Sequence, residues 1–437
     1  MNVFVELALI LGSSMLFIAL GIPIAVVLGL VGFLGVVIVF GWKMAMGALT
    51  VNVTTAVQHF TLVSVPMFIL MAEILIVSDL SKRVFDNASK LLGGLPGSLL
   101  LGSRFATTLF ASLTGSSVAG CAAIGTAAIP EMTRRGYDRG LTAGSVVAGG
   151  GLALVIPPSI LFIVYGMLAE VSIPALFMAG VIPGLIMSAC YVVWNLYIAI
   201  RRPDMAPRAP AVPVRERLTA LLELIPFLGL AFLIMGSIYT GVATVTEAAA
   251  IGVAGALLLS ALARKLTIGT LRVALLSTAR VCGFVFLILI GALIFGFLIS
   301  YMQIPSQITQ AILAGGLDKW TILLLVLVIF CLLGMFMEPL PTLLIVVPIV
   351  IGPLKALGFD PIWLGVIIAI VLEMGIILPP FGLNIFIVQG TAAHAGFPVS
   401  YPEVVRGSLP YVAADGVALA IIILVPAAAL WLPSYIG

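Results

Sequence analysis

The feature that most constrains this chain is a succession of apolar runs, each about as long as the 20 residues a helix needs to cross hydrocarbon. The runs lie near 3–20, 22–41, 62–78, 173–200, 219–240, 241–263, 282–302 and 404–432. Two more, near 142–169 and 362–392, carry a Pro-Pro pair inside them. Of the 437 residues, 62% are hydrophobic and 8% charged, against roughly 25% charged in a soluble domain. Such a chain has too little polar surface to face water, so lipid must be its solvent. The net charge of +3 points to neither nucleic acid nor an acidic partner. Cys121, Cys190, Cys282 and Cys331 are scattered through apolar runs, with no spacing that predicts a disulfide framework or a zinc site. His59 and His394 have no ligand-spaced partner and read as structural or interfacial. The first run begins at Val3 with Glu6 near its start and no basic residue before it, unlike a cleavable signal peptide.

Two apolar segments do not read as spans. Residues 98–130 and 320–357 are interrupted halfway, by Thr114-Gly115-Ser116-Ser117 and by Glu338-Pro339-Leu340-Pro341. Legs of about 15 residues are short for a crossing, so re-entrant hairpins are expected. Non-helical backbone at that depth must lie inside protein or face a watery cavity. The stretches 43–60, 81–97, 266–280 and 303–318 have mixed polarity and are expected to lie along the interface. The Pro- and Arg-rich stretch 201–217 reads as the one aqueous linker.

That linker separates related halves, 1–200 and 218–437. At an offset of 220, Gly21, Gly32 and Gly35 fall on Gly241, Gly252 and Gly255. At 222, Ser116 falls on Glu338, and Pro157-Pro158 on Pro379-Pro380. Each half makes five net crossings, an odd number, so the second half must be inverted relative to the first. With the N terminus outside, 17 basic residues fall inside, Arg104 and Arg280 among them, and three, Lys43, Lys319 and Lys355, fall outside. The positive-inside rule favours this orientation. Both termini are then expected in the periplasm, and every arginine maps to a rim, so none marks an anion site.

Inverted repeats with discontinuous helices are a mark of secondary transporters, because one fold presented both ways up can open to either side of a central site. Carbonyls and hydroxyls at a break can hold sodium, and helix N-termini can hold a carboxylate or sulfonate. The first candidate ion site joins Thr114, Gly115, Ser116 and Ser117 to Ala153, Leu154, Val155, Ile156 and Pro157. The second joins Glu338, Pro339, Pro341 and Thr342 to Gly375, Leu378 and Pro379. Ser116, Ser117, Pro158, Ser159, Pro380 and Asn384 are the candidate substrate contacts. The bland alternative is that the hydroxyls bond back to their own helices and the prolines only kink. Glu73, Glu247, Glu338 and Glu373 lie in or beside apolar segments, where a carboxylate is a functional candidate by default. Thr244 and Glu247, however, have capping-box spacing. No acid–base or metal constellation suggests an intramembrane enzyme.

The runs Thr114-Gly-Ser-Ser-Val-Ala119, Ala122-Ala-Ile-Gly125, Ile156-Pro-Pro158, Thr246-Glu-Ala-Ala-Ala250 and Gly334-Met-Phe-Met-Glu-Pro339 carry a resemblance. Over essentially its whole length the chain resembles the large membrane subunit of tripartite ATP-independent periplasmic (TRAP) transporters, within the wider ion-transporter superfamily. The resemblance implies an all-α elevator fold and sodium-driven uptake of a small organic acid across the bacterial inner membrane. It also implies a small four-span Q-type membrane partner and a P-type periplasmic binding protein. A stand-alone anion symporter of the same superfamily is the alternative. The family usually has Asp where this chain has Gly120, and Pro where it has Val245. The moving part is expected to be 98–169 with 320–392, sliding past the remaining helices, with 81–97 and 303–318 as arms and 3–41 with 219–263 in the fixed frame.

Overall fold

The computed structural model describes residues 3–316 and 318–435. Residues 1–2 and 436–437, the very ends expected in the periplasm, lie outside the described residues, as does Leu317 at the end of the second expected arm. The described chain is helical throughout, and eight of its helices are long and apolar enough to cross a membrane.

The two halves run through the same order of elements. Val3–Ala19 and Ile24–Phe40 correspond to Val214–Tyr239 and Val245–Leu262. Next come Trp42–Gln58 and Ser64–Val77 in the first half and the single helix Ile268–Tyr301 in the second. The arms Leu80–Leu91 and Ile304–Gly315 follow. After them come the hairpins, Ser98–Thr114 with Ser117–Arg134, and Lys319–Phe336 with Pro339–Ala356. The broken helices are Arg139–Gly151 with Ile160–Ala169, and Pro361–Ile377 with Leu383–His394. The long spans Ile173–Arg201 and Tyr401–Leu424 close the series. Both arms start just after a non-glycine residue in the left-handed region, Asp79 at φ 57° and Gln303 at φ 55°. Side chains rarely adopt that conformation, so its recurrence at matching joints marks a sharp, shared change of chain direction.

Several expectations are revised. The stretch 266–280 is no separate interfacial helix. It opens a continuous helix of 34 residues, about 50 Å long at 1.5 Å per residue, with Arg280 inside it. The expected span 404–432 stops at Leu424, before Pro426, and a short turn Ala427–Leu430 follows. The non-helical linker is shorter than expected, because helices reach in to Arg201 and out from Val214. The hairpin legs are 17 or 18 residues, longer than read from sequence. Length alone would let them cross. Their tips pack against the breaks, which leave 13 residues on one side and ten on the other of the first broken helix.

The hairpins and broken helices of the two halves interlock. Tyr165 donates a 2.6 Å hydrogen bond to the Pro361 carbonyl, and Lys355 Nζ donates one of 2.6 Å to the Ala169 carbonyl. The latter puts a cation on the carbonyl end of Ile160–Ala169, where the helix dipole favours it. The spans Ile173–Arg201 and Tyr401–Leu424 pack chiefly on this block: Trp363 Nε1 donates to the Ile422 carbonyl at 3.1 Å, and Gly144 meets the Gly407 carbonyl too closely for any β-carbon. Outside the block, Ile24–Phe40 crosses Ile268–Tyr301 at Gly32, where a β-carbon would lie 2.7 Å from the Phe295 nitrogen. Gly252 and Gly255 are filled by Met71, Ile234 and Leu230 of this same chain, so they are not an open face for a partner. The first arm is tied to Val214–Tyr239 by Asn87 donating to Glu223 at 2.8 Å and Arg217 donating to the Gly93 carbonyl at 2.6 Å.

Small residues let membrane helices approach closely enough for dispersion and weak hydrogen bonds to act. Gly144→Val is therefore expected to lower stability by about 1–3 kcal/mol through overpacking, read as an earlier thermal unfolding midpoint in detergent. Gly236→Ala, whose β-carbon meets nothing within 4 Å, should leave the midpoint where it is.

Candidate functional site

At the first tip the backbone turns at Gly115, with φ 60°, and a β-carbon there would lie 2.6 Å from the Pro158 carbonyl oxygen. Glycine is required twice over, for the left-handed turn and for contact with the break. Ser116 then caps Ser117–Arg134, its hydroxyl accepting from the Ala119 amide at 3.4 Å. Such capping satisfies one of the amides a helix start leaves open. The next hydroxyl reaches across the repeat: Asn384 Nδ2 donates to Ser117 Oγ at 2.7 Å, and it lies 3.4 Å from the Val147 carbonyl. Asn384 is fully buried, yet its Oδ1 has no hydrogen-bond partner, and neither has the buried Thr114 hydroxyl.

The second tip is built more from backbone. Glu338 precedes Pro339–Ala356 in extended conformation, with its carboxylate making no capping bond. A carboxylate at a helix N-terminus sits in the favourable end of the dipole and stays available to other partners. Thr342 turns its hydroxyl back to the Glu338 carbonyl at 3.1 Å. Gly375 touches Gly334 so closely that a β-carbon would lie 2.9 Å from its backbone, and the Gly382 amide donates to the Met335 carbonyl at 3.2 Å. The second break is thereby held against the end of the second hairpin's first leg.

Both tips open onto one cavity of about 690 Å³. Thr114, Gly115, Ser116 and Ser117 line it from the first hairpin, Glu338, Pro339 and Leu340 from the second, and Leu154 and Asn384 from beside the breaks. The opposite wall belongs to two helices outside the block. Ile69, Ala72, Glu73 and Ile76 fall at helical spacing on one face of Ser64–Val77, and Arg280, Val281, Phe284 and Val285 do so on Ile268–Tyr301. Each stripe holds one charged residue, Glu73 or Arg280. Asp79 and Ser81 extend the wall at the start of the first arm.

Of the candidate residues, then, the structure brings Thr114, Gly115, Ser116, Ser117, Glu338, Pro339 and Asn384 together around one space. Ala153, Ile156 and Pro157 are buried behind the first tip, and Thr342, Gly375, Leu378 and Pro379 stand behind the second, none of them in the cavity wall. Pro158 meets Gly115 through its carbonyl. Ser159 spends its hydroxyl locally, donating to the Leu154 carbonyl at 2.8 Å and capping Ile160–Ala169. The Pro380 carbonyl accepts from Tyr401 at 2.6 Å. These last three lie outside the cavity wall. Glu247 closes its capping box with Thr244 as expected. No group of three potential metal ligands occurs among the described residues.

Two arginines escaped the sequence reading, which placed all of them at the rims. Arg280 stands in the cavity wall, and Arg104 is 2% exposed, inside the block. Arg104 carries no signal along the chain, because its burial depends on helices far away in sequence.

A profile of the family described as "Tripartite ATP-independent periplasmic transporter, DctM component" matches residues 11–428. The C4-dicarboxylate TRAP transporter large permease protein DctM of Pseudomonas aeruginosa is 35% identical over 391 residues, covering 89% of this chain and 90% of that one. The ectoine TRAP transporter large permease protein TeaC of Halomonas elongata is 30% identical over 414 residues, covering 94% and 95%. The isethionate TRAP transporter permease protein DctMQ of Oleidesulfovibrio alaskensis is 31% identical over 397 residues, covering 88% of this chain and 60% of that longer one. In structure, the chain is similar to the YdaH transporter of Alcanivorax borkumensis, with a TM-score of 0.65 at 17% identity over 91% of this chain and 89% of that one.

The Asn384–Ser117 bond is the polar link between the two halves at the cavity. Asn384→Ala is expected to cost about 1 kcal/mol of stability and to lower solute uptake far more than that modest loss explains. Uptake per folded molecule, normalised by gel filtration, checks it.

Proposed function

The chain belongs to the family of DctM components of tripartite ATP-independent periplasmic transporters, and from that premise we propose that it is a sodium-coupled permease for a small organic acid anion. The observation that carries the reading is the single cavity in which both hairpin tips face Glu73 and Arg280. Arg280 supplies the positive charge that a carboxylate or sulfonate needs, and a guanidinium binds such groups in bidentate fashion. Glu73, Asp79 and Glu338 line the same space, so carboxylates outnumber the arginine and the walls by themselves oppose an anion. Cations held behind the tips, by the carbonyls of the two breaks and hydroxyls such as Thr114, reverse that balance. Sodium thereby becomes the condition for binding and the source of coupling. The relatives' names, which cite C4-dicarboxylate, isethionate and ectoine, support an organic acid and leave its identity open. They also support a periplasmic binding protein that delivers it and a small membrane partner. The greater length of the DctMQ relative leaves room for such a partner in one chain.

In the orientation set by the positive-inside rule, the cavity opens toward the cytoplasm, where Asp79, Ser81 and Arg280 lie. We read the alternation of access as an elevator. The block of hairpins and broken helices, with Ile173–Arg201 and Tyr401–Leu424, carries its ion and solute groups whole past the helices that bear Glu73 and Arg280. The first arm is pinned to Val214–Tyr239 as far as Gly93, whereas Gly94 and Gly97 beyond it have positive φ. That glycine-rich joint is the hinge.

Uptake into proteoliposomes holding the chain with its partner proteins should require sodium. Equal uptake after replacing sodium by potassium at fixed pH would remove the coupling. In the same assay Arg280→Gln should raise the half-saturating solute concentration about tenfold or more, as expected for a lost charged hydrogen bond. The movement is checked with labels near Ser116 and Gly252, whose separation should change by several ångströms between inward- and outward-favouring conditions. An unchanged separation with access still switching leaves only local gating. A label at the exposed Arg208 should react from the cytoplasmic side alone, and labelling from outside sealed cells would overturn the orientation.

A further inference from the structure

Behind the cavity, where four helices of the block meet, lies a second cluster of charges. Arg104 comes from the first hairpin, Tyr191 and Asn195 from Ile173–Arg201, Glu373 from the second broken helix, and Tyr411 and Asp415 from Tyr401–Leu424. Every one of these side chains is 2% exposed or less. The pairs Tyr191/Asn195 and Tyr411/Asp415 are each four residues apart, so each pair shares one helix face. Tyr191 Oη lies 3.0 Å from Glu373 Oε1 and also makes a shorter contact with Asp415 Oδ1. The Arg104 guanidinium stacks 4.4 Å from the centre of the Tyr191 ring, and its Nη2 donates to the Ser145 carbonyl at 2.9 Å. Tyr411 donates to Asn195 Oδ1 at 2.5 Å.

Two counts do not balance in this cluster. A tyrosine hydroxyl has one hydrogen, yet two carboxyl groups stand within bonding distance of it, and an ionised carboxylate can only accept. One of the two contacts is a hydrogen bond only if a carboxyl brings its own proton and donates to Tyr191 Oη. The charges agree: two carboxyl groups share this interior with one guanidinium, which acts on both through space without an ion pair, and an uncompensated charge buried this deeply is very costly. We infer that Glu373, Tyr191 and Asp415 form a binding site for a single proton, shared by the carboxyl pair and distinct from the cavity. The titratable and charged groups facing the pair are Arg104 from the first hairpin, Cys121 from its second leg, Tyr191 and Cys190 from one long span and Tyr411 from the other. Among these, Arg104 supplies the cationic charge.

The position of the site gives the proton a consequence. A β-carbon on Gly151 would lie 2.5 Å from Glu373 Oε1, so the carboxyl rests directly on the backbone that unwinds at the first break. Glu373 is also three residues from Ile376, which lines the cavity, and five from the second break at Leu378. One carboxyl thus braces both broken helices. Loss of the proton leaves an unmatched negative charge there, and the breaks must shift to let water reach it. The proton travels with the block, and its occupancy governs whether the two tip sites are formed.

The effect on uptake rests on the permease reading; the proton itself does not, so the two are measured separately. Infrared difference spectra of the purified full-length chain, recorded across a pH titration, should show a protonated-carboxyl stretch. That stretch should vanish in both Glu373→Gln and Asp415→Asn, because one carboxylate and the one guanidinium of Arg104 then leave the interior neutral without a proton. A stretch that survives in either variant, or no difference between either variant and the parent, overturns the shared-proton site. Gel filtration and a thermal midpoint confirm that both near-isosteric variants fold. In proteoliposomes at saturating sodium, uptake by the parent should fall about tenfold one pH unit above the midpoint of that titration, as the protonated fraction does. Asp415→Asn should flatten this dependence. An identical pH profile in the variant would sink the link to transport while leaving the spectroscopic result to decide the proton.

Discussion

Backbone amides and carbonyls set free where a helix breaks inside hydrocarbon have no water to turn to, and each one left alone costs several kcal/mol. In this chain the two breaks are covered by the two hairpins. Gly115 presses on the Pro158 carbonyl, and the Gly382 amide bonds to the Met335 carbonyl. The hairpins therefore cannot leave the broken helices without exposing backbone, which ties them to those helices. The rest follows from that bond of necessity. The cavity sits where the tips meet, and the helices bearing Glu73 and Arg280 provide its opposite wall.

The two halves meet each requirement by different means. The first tip is rich in hydroxyls and uses Ser116 to cap its helix. The second relies on Pro339 at the helix start and on Glu338 without a capping bond. The corresponding frame segment is interrupted at His59–Val63 in the first half and continuous over 34 residues in the second. A repeat used in both orientations around one solute need not be chemically symmetric. One tip presents neutral hydroxyls, and the other a carboxyl group.

The deep cluster around Glu373 adds a layer behind that surface. It draws on both halves, and its only cation is an arginine from the first hairpin leg. In a water-excluding interior, charges are tolerated only when matched, so the cluster makes the packing of four helices conditional on one small, mobile ion. It also links the two breaks mechanically, because a single glutamate touches Gly151 and lies on the helix that ends at Leu378.

Much of this was legible along the chain because it depends on local chemistry. Apolar run length announced the long apolar helices, Pro-Pro pairs the breaks, polar tips the turns between paired helices, and the Thr244–Glu247 spacing its capping box. The paired order of elements in the two halves could be read off an offset of about 220, since a repeat is a property of sequence. Other things were decided by tertiary structure alone. Arg104 looked like a rim residue because hydropathy places a charge by its own segment, and only the assembly of four distant helices encloses it. Arg280 drew no role because a mixed-polarity stretch does not reveal that its helix runs on for 34 residues and turns Arg280 to the cavity. Ser159 looked like a ligand, but whether a hydroxyl faces a cavity or caps its own helix is a choice of rotamer and packing. Asp415 drew no attention within its span until Tyr191 and Glu373, 224 and 42 residues away, were brought against it. Sequence spacing determines which residues share a helix face; which faces share a dry interior, and so which charges must be matched, is settled only when the helices pack.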